Sequence, residues 1–347
     1  MKVVLASYQA VSLLRGGPNT QIRGTAKFLP EFGVSPQFFD QWTPLKREDC
    51  ELVHLFAANI GTYHFAREIA ALGIPLVVSP ILFSSHSEAF VRNVLSGTRI
   101  LQKLGPGIWS DYAISADICT WAAKVLPNTE AEADLVAEGL GIGREKLQVI
   151  PNGVDGRFRE GDPRLFRERY GVERFILNVG HIGPRRKNVR NLIKALAQID
   201  RPAVLIGRVA GGSEGAACLA EAKKHENILV LEGLDNDSEM LASAYAACDV
   251  FVLPSLFETP GIAALEAGLA GAKIVITPYG GTREYFRDLA VYVEPDSIDS
   301  IRHGILAALE QPSGGKLRER IEREFLWREV ARKTARAYED VLSQGRR

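Results

Sequence analysis

Two glutamates, Glu258 and Glu266, stand eight positions apart in the stretch 254–267, which reads Pro-Ser-Leu-Phe-Glu-Thr-Pro-Gly-Ile-Ala-Ala-Leu-Glu-Ala. Pro260 and Gly261 mark a turn into a helix, because proline suits a first helical turn. Glu258 then falls in the loop and Glu266 on the helix. Five helical steps from Gly261 to Glu266 already span roughly 7.5 Å, before the loop is added. A retaining glycosidase holds its two carboxyls about 5–5.5 Å apart. A wider pair suits two ends of one elongated ligand. Between the two lie the N–H groups of Gly261, Ile262 and Ala263 at the helix start, and such groups bind anions with the help of the helix dipole. Carboxylate, anion site, carboxylate fits a sugar hydroxyl, a diphosphate and a ribose hydroxyl. The same residues also fit a capped surface helix with two solvated glutamates, so this stretch alone does not decide.

A second group is His181-Ile182-Gly183-Pro184-Arg185-Arg186-Lys187-Asn188. Three consecutive cations at a helix start are placed to neutralise a diphosphate. A third is Leu14-Arg15-Gly16-Gly17-Pro18, where adjacent glycines let backbone approach a ligand closely. Other signals are weaker. Asp235-Asn236-Asp237 precedes a helix, where Asp and Asn are ordinary turn and cap residues, so no divalent metal and no other cofactor is expected. Gly139, Gly141 and Gly143 follow a helix rather than a strand and lack the context of a dinucleotide-binding turn.

These groups need elements to hold them. Short apolar runs read as strands buried on both faces: Val3–Ser7, Leu52–Phe56, Leu76–Ser79, Lys124–Leu126 and Leu147–Ile150, then Phe175–Val179, Ala203–Ile206, Ile228–Leu231, Val250–Leu253, Lys273–Thr277 and Ala290–Val293. Helical stretches such as Asn188–Ile199 and Ser238–Ala247 alternate with them. This alternation predicts α/β architecture with parallel sheets covered on both faces. The series restarts near residue 170, after a polar, turn-rich segment over 155–163 that reads as a linker. Two doubly wound, Rossmann-like domains are therefore predicted, with ligands expected in the crevice outside the carboxyl ends of the strands. One long helix is expected over about Lys316–Ser343, with Trp327, Val330, Ala331, Tyr338 and Val341 on its packed face.

The 347 residues suit two domains. Lys plus Arg and Asp plus Glu each number 42, and without a basic surplus no nucleic-acid partner is expected. The four cysteines form no Cys-x-x-Cys pair, and free thiols are expected. The first apolar run is too short for a signal peptide and no run is long enough to span a bilayer. The expectation is a cytoplasmic protein, with a peripheral position on the inner face of a membrane left open. The amphipathic, basic segment Phe90–Leu104 is expected to face a core, with contact to a membrane carrying a lipid-linked acceptor as the other reading.

The Glu-x7-Glu pattern after Pro254-Ser255 resembles the family four retaining glycosyltransferases of the GT-B fold. So do Val179-Gly180 with Lys187-Asn188, Val149-Ile150-Pro151-Asn152-Gly153-Val154-Asp155, and Gly280-Gly281-Thr282-Arg283-Glu284. The resemblance is close in the second half and looser in the first. It implies two Rossmann-like domains facing across a cleft. Residues 1–160 would form the acceptor side, completed by a C-terminal helix over 325–347 that crosses back. Residues 165–324 would form the donor side.

The resemblance also implies roles. Glu258 would hold donor-sugar hydroxyls and act in catalysis with Lys187 and Arg186. Glu266 would take the ribose, and Gly261, Ile262 and Ala263 the sugar and distal phosphate. Gly16 and Gly17 would face the donor phosphates. Two departures stand out. His181 occupies the place of the family's usual arginine, with Arg185 or Arg186 available to supply the charge. Ser79-Pro80-Ile81 lacks the family's usual histidine, and the nearest one, His86, is either a donor-sugar or acceptor contact or a capping or surface residue. The implied activity is metal-independent hexosyl or N-acetylhexosaminyl transfer from a nucleoside diphosphate sugar to an acceptor hydroxyl. The donor base, the sugar and the carbohydrate or lipid-linked acceptor stay open. A nucleotide-sugar epimerase and a non-catalytic sugar-nucleotide binding protein are the alternatives.

Overall fold

The computed structural model describes residues 1–13, 16–105, 107–312 and 315–344. Leu14 and Arg15 of the glycine-containing loop, and the last three residues of the chain, lie outside these. The chain forms two compact units: residues 1–153 with 327–347, and residues 154–326.

The first unit is built on strands β1 (Lys2–Ser7), β2 (Ser35–Phe38), β3 (Leu52–Phe56), β4 (Leu76–Ser79) and β5 (Lys124–Val125), with helices α1 (Gly17–Phe28), α2 (Ile60–Ala71), α3 (Glu88–Leu104), α4 (Asp111–Trp121) and α5 (Glu130–Asp134). All strand pairs are parallel, in the order β2-β1-β3-β4-β5. β3 and β4 are buried at every position, as their apolar runs require. β2 gives no such signal. Its residues are mostly exposed, and it sits at the sheet edge, where a proline such as Pro36 is tolerated. The predicted strand Leu147–Ile150 is reduced to one bridge, Leu147 to Val125. α3 faces the core along one side, where Val91 is buried and Leu95 packs against the same cluster, but its other side is more apolar than a solvated face. Only Val91 and Thr98 are buried along it, while Phe90, Ile100, Leu101 and Leu104 are exposed, as are Ile108 and Trp109 just beyond.

The second unit carries β6 (Ile176–Val179), β7 (Ala203–Ile206), β8 (Ile228–Leu231), β9 (Val250–Leu253), β10 (Lys273–Ile276) and β11 (Val291–Tyr292). Its helices are α6 (Pro163–Tyr170), α7 (Val189–Leu196), α8 (Ser213–Ala222), α9 (Glu239–Ala247), α10 (Ile262–Ala270), α11 (Thr282–Phe286), α12 (Ile298–Glu310) and α13 (Gly315–Glu324). The strands are parallel in the order β11-β10-β9-β6-β7-β8. The chain starts in the middle at β6, runs outward to β8, then returns to β9 and runs outward the other way. The switch point lies between β6 and β9, the two strands whose following loops carry the cations and Glu258.

The segment 155–163 is not a free linker. Residues 156–160 form a 3-10 turn of the second unit, and Phe158 is buried against Tyr245. A Cβ on Gly161 would run into the Ala242 carbonyl, so this segment lies directly on α9. Nor is the last helix continuous. α13 ends at Glu324, Phe325 accepts a hydrogen bond from Val154 N at 2.7 Å, and Leu326 bridges Val154. A new helix, α14 (Trp327–Gln344), then begins.

α14 belongs to the first unit. Trp327, Val330, Ala331, Tyr338 and Val341 are all buried, together with Val3, Leu5, Ile22 and Leu29. The sheet therefore has two apolar faces, one covered by α14 and α1 and the other by α2 and α4. Buried His54 on β3 bridges Tyr338 Oη at 2.7 Å and Ser79 Oγ at 3.0 Å. Burial holds the imidazole neutral, its pKa down to about 3. A Cβ on either Gly24 or Gly153 would clash with the Trp327 ring, so the two glycines make its slot. Trp327→Ala should therefore destabilise this unit by about 3–5 kcal/mol, the usual cost of emptying an aromatic site. Chemical denaturation followed by near-UV circular dichroism measures it, and a loss under about 1 kcal/mol would show that α14 packs elsewhere.

Candidate functional site

β6 and β9 pair through only two residue pairs, Ile176 with Val250 and Leu177 with Phe251. One position further, the buried Asn178 amide donates to the Val252 carbonyl at 2.7 Å. The strand ends part beyond this point, and two loops rise from the gap.

The loop after β6 carries Arg185–Lys187 as a single 3-10 turn. Asn188 ends it in the left-handed region at φ 56°, a conformation that asparagine tolerates better than most residues. Its amide donates to the Pro254 carbonyl at 2.9 Å and the Pro295 carbonyl at 2.6 Å. Leu256 N–H donates to the Arg186 carbonyl at 2.8 Å. The cation turn is thus tied to the loop that bears Glu258.

The result is an ionic cluster around one buried carboxylate, with Lys187 half-buried and Arg186 exposed. Lys187 Nζ lies 2.6 Å from Glu258 Oε1, and Arg186 Nη1 lies 3.3 Å from the same oxygen. Arg186 also donates to the Phe257 carbonyl at 3.2 Å. Burial alone would push the Glu258 carboxyl up. Lys187 and then Arg186 outweigh it and hold the pKa below the ordinary glutamate value. Glu258 backbone is fixed from the other side: its N–H donates to the Tyr279 carbonyl at 3.1 Å, and its carbonyl accepts from Gly281 N–H at 2.9 Å. Gly280, at φ 90°, lies so close that any Cβ would meet the Glu258 carbonyl.

α10 starts two residues past Pro260. Gly261 caps it at φ 73° and has no side chain to bond the first N–H groups, so the helix start is bare, as an anion site requires. Gly261, Ile262 and Ala263 occupy this start. In the first unit, α1 has the same feature. Gly16 is an extended cap without a side chain, Gly17 begins the helix, and the space where a Gly16 Cβ would sit is open.

Glu266 is separate from the ionic cluster in its bonding. It is buried on α10, accepting from Tyr245 Oη at 2.7 Å and from the Asn236 amide at 3.2 Å. Asn236 is the middle residue of the Asp-Asn-Asp turn, whose side-chain role the sequence did not disclose. Arg157, from the segment read as a linker, donates to the Asn236 carbonyl. Burial raises the Glu266 pKa to about 7. Tyr245, Asn236 and Arg157 oppose the rise and Asp155 adds to it.

The remaining residues fall as follows. His181 is exposed at the start of the cation loop. Partial desolvation, then Lys187, Arg208 and Arg186, lower its pKa below the usual 6.5. Arg185 is exposed on the 3-10 turn. His86 belongs to the first unit, in the turn before α3. Its N–H donates to Ser84 Oγ at 3.0 Å and its ring lies 4.2 Å from Phe90. Ile81, in the Ser79-Pro80-Ile81 stretch that carries no histidine, has φ 51°, a conformation that strains a β-branched residue.

Glu266 gives the site a pH signature. Its pKa is raised in the folded chain from the ordinary 4.5 to about 7, so between these values the folded state binds a proton that the unfolded state does not. Stability from this group is full below about pH 4.5 and is lost as pH rises through 7. Glu266→Gln should therefore be more stable than the parent at pH 8, by on the order of 3 kcal/mol, and the gap should close toward pH 4.5. Thermal melts across this range test it. A gap that does not change with pH would show that the carboxyl is not the source.

Comparison with known proteins follows the same division. Residues 166–324 match the family model described as Glycosyl transferases group 1, and residues 16–157 match Glycosyltransferase Family 4. The D-inositol 3-phosphate glycosyltransferase of Geodermatophilus obscurus is 30% identical over 261 residues, covering 69% of this chain and 57% of that protein. The chain spans about half the length of the first such curated relatives. Among solved structures, the sucrose-phosphate synthase of Thermosynechococcus elongatus superposes over 99% of this chain and 100% of its own, with a TM-score of 0.77 at 19% identity. Anabaena HepE in complex with UDP does so over 98% and 100%, with a TM-score of 0.74 at 16% identity. These structures share the GT-B fold with this chain, two parallel-sheet α/β domains. With one family model on each half and relatives that share both, the chain belongs to the family four glycosyltransferases.

Proposed function

We propose that the protein transfers a glycosyl group from a nucleoside diphosphate sugar to an acceptor hydroxyl, with retention of configuration and without a divalent metal. The observation that carries this reading is the Glu258 carboxylate held by Lys187 and Arg186 at the switch point of the second unit, beside the bare start of α10. Without a ligand, the two cations neutralise the carboxylate. A diphosphate arriving at the helix start offers them a more highly charged partner. As they turn to it, Glu258 is left with free lone pairs to accept from sugar hydroxyls. Charge then grows on the leaving diphosphate in the transition state, where fixed cations and helix N–H groups stabilise it. Glu266 uses two of its roughly four acceptor positions on Tyr245 and Asn236, and keeps others for ribose hydroxyls.

The UDP complex of the HepE structure supports a nucleoside diphosphate as the ligand class. The exposed apolar residues along α3 support contact with a membrane surface, and so action on a lipid-linked acceptor. In a transferase, loss of Glu258 costs transfer to the acceptor and spares nucleotide affinity; a binding protein has no turnover to lose, and an epimerase acts without an acceptor.

That separation is measurable. Glu258→Gln should bind the free nucleoside diphosphate within about threefold of the parent while losing transfer at least about a hundredfold. Glu266→Ala should weaken the free nucleoside diphosphate by roughly ten- to hundredfold, the worth of a hydrogen bond to a charged group. Calorimetry with UDP, GDP and ADP beside a turnover assay reads both. Equal losses of binding and turnover in the two variants would contradict the assignment.

The metal-free mechanism has its own test. Lys187 and Arg186 already supply positive charge where a bridging cation would act, and like charges about 4 Å apart cost roughly 4 kcal/mol at an effective dielectric of 20. Transfer should survive excess EDTA within about twofold. Activity abolished by EDTA and restored by magnesium or manganese would reject it.

A further inference from the structure

The cluster on Glu258 leaves a charge question. Lys187 and Arg186 both bind one carboxylate oxygen, so the trio carries a single net positive charge before any ligand arrives. A nucleoside diphosphate brings more negative charge than that.

The loops after β6 and β7 supply another cation. Val179 pairs with Ile206 at the end of the two strands, and the same parallel register continues beyond them. Ile182 bridges Val209, Ile182 N–H donates to the Arg208 carbonyl at 3.0 Å, and Ala210 N–H donates to the Ile182 carbonyl at 2.8 Å. The register places His181 opposite Arg208. Ile182 is buried, and side chains alternate along an extended segment. His181 and Arg208 therefore lie side by side on the opposite, accessible side. The two loops touch backbone to backbone, since Gly180 N–H donates to the Ile206 carbonyl at 2.9 Å and a Cβ on Gly207 would meet the Gly180 carbonyl. Arg208 is thus fixed by strand pairing and not by a flexible loop.

His181 reports what faces this space. The cations acting on it are Lys187, Arg208 and Arg186. Arg208 therefore shares a field with the two residues that hold Glu258. The histidine itself stays neutral at pH 7, its pKa lying below 6.5, and adds no charge. Arg185 is not among the groups acting on it. Among the described residues, Arg208 is exposed and has no ion pair.

We propose that Arg208 binds the diphosphate of the donor, as the free cation of a site in which Lys187 and Arg186 are held by Glu258. The role rests on the donor reading given above. A guanidinium suits it, because its fork of N–H groups matches phosphate oxygens in pairs. It reaches the site without breaking an existing contact, whereas Lys187 and Arg186 must first leave a carboxylate.

Calorimetry on the purified full chain tests this. UDP, GDP and ADP are titrated into the parent, and the one that binds is carried forward with its nucleoside, which is followed by NMR. Arg208→Gln should weaken the nucleoside diphosphate ten- to hundredfold and leave the nucleoside within about twofold. Because Arg208 is exposed, the variant should fold and melt as the parent does. Adding His181→Arg to Arg208→Gln should recover most of the lost affinity, since a charge is returned to the neighbouring position on the same side. Unchanged diphosphate affinity in Arg208→Gln would overturn the role of Arg208 alone, as would an equal loss for diphosphate and nucleoside. A parent protein that binds none of the three nucleotides would overturn the donor reading and this role with it.

Discussion

One contact organises the second unit: the half-buried Lys187 ammonium against the buried Glu258 carboxylate, 2.6 Å apart. It joins two loops that follow strands β6 and β9, neighbours in the sheet but 71 positions apart in the chain. Such a pair is a poor source of stability, because the cost of removing both charges from water can match or exceed the attraction between them. Its effect is on placement. A lone carboxylate at this depth would either take up a proton or draw the loop toward water. With Lys187 and Arg186 beside it, Glu258 stays ionised and stays in the crevice.

Much of the surrounding backbone serves that placement. Asn188 adopts a left-handed conformation so that one amide can reach two carbonyls, those of Pro254 and Pro295. Gly280 lacks a Cβ where the Glu258 carbonyl passes. Asn178 takes the place of a strand hydrogen bond where β6 and β9 separate. Each device replaces regular sheet pairing at the point where the sheet must open. The topology explains why this happens here. At the switch point the connections leave in opposite directions, so no helix covers the gap between the two strand ends.

How much of this could be read from the sequence depended on range. The central strands were legible because burial on both faces demands runs such as Leu52–Phe56 and Val250–Leu253. β2 was not, since an edge strand needs no apolar run and Pro36 argues against one. The 155–163 segment looked like a linker because its composition is polar, and a single buried side chain, Phe158, decides otherwise. The helix expected over about 316–343 includes Phe325 and Leu326, yet their backbone pairs with Val154 and breaks it. At the site, residue types and local spacing identified Glu258, Glu266 and the cations. Their bonding was out of reach, because Lys187 with Glu258 and Asn236 with Glu266 are contacts between distant segments. In the turn at Asp235–Asp237 the acids carry the sequence signal, while the middle residue, Asn236, makes the contact with Glu266.

The two glutamates end in opposite electrostatic states although both are buried and lie on one short loop and helix. Desolvation acts on each in the same direction, toward the protonated form. Glu258 has two cations in contact, and its pKa falls. Glu266 has neutral donors in contact, with Arg157 bound to a neighbouring carbonyl instead, and its pKa rises to about 7. Here two cations in contact outweigh burial at Glu258, and two neutral hydrogen bonds do not at Glu266. Environments that push two carboxyls apart in this way allow them separate tasks. Glu258 stays ionised beside its cations, and in the proposed reaction it is released when a stronger anion takes them. Glu266 sits near neutrality, where hydrogen bonds from ribose hydroxyls to its ionised form would draw the pKa back down. Nucleotide binding and loss of a proton at Glu266 are then linked, and donor affinity should rise with pH through about 7.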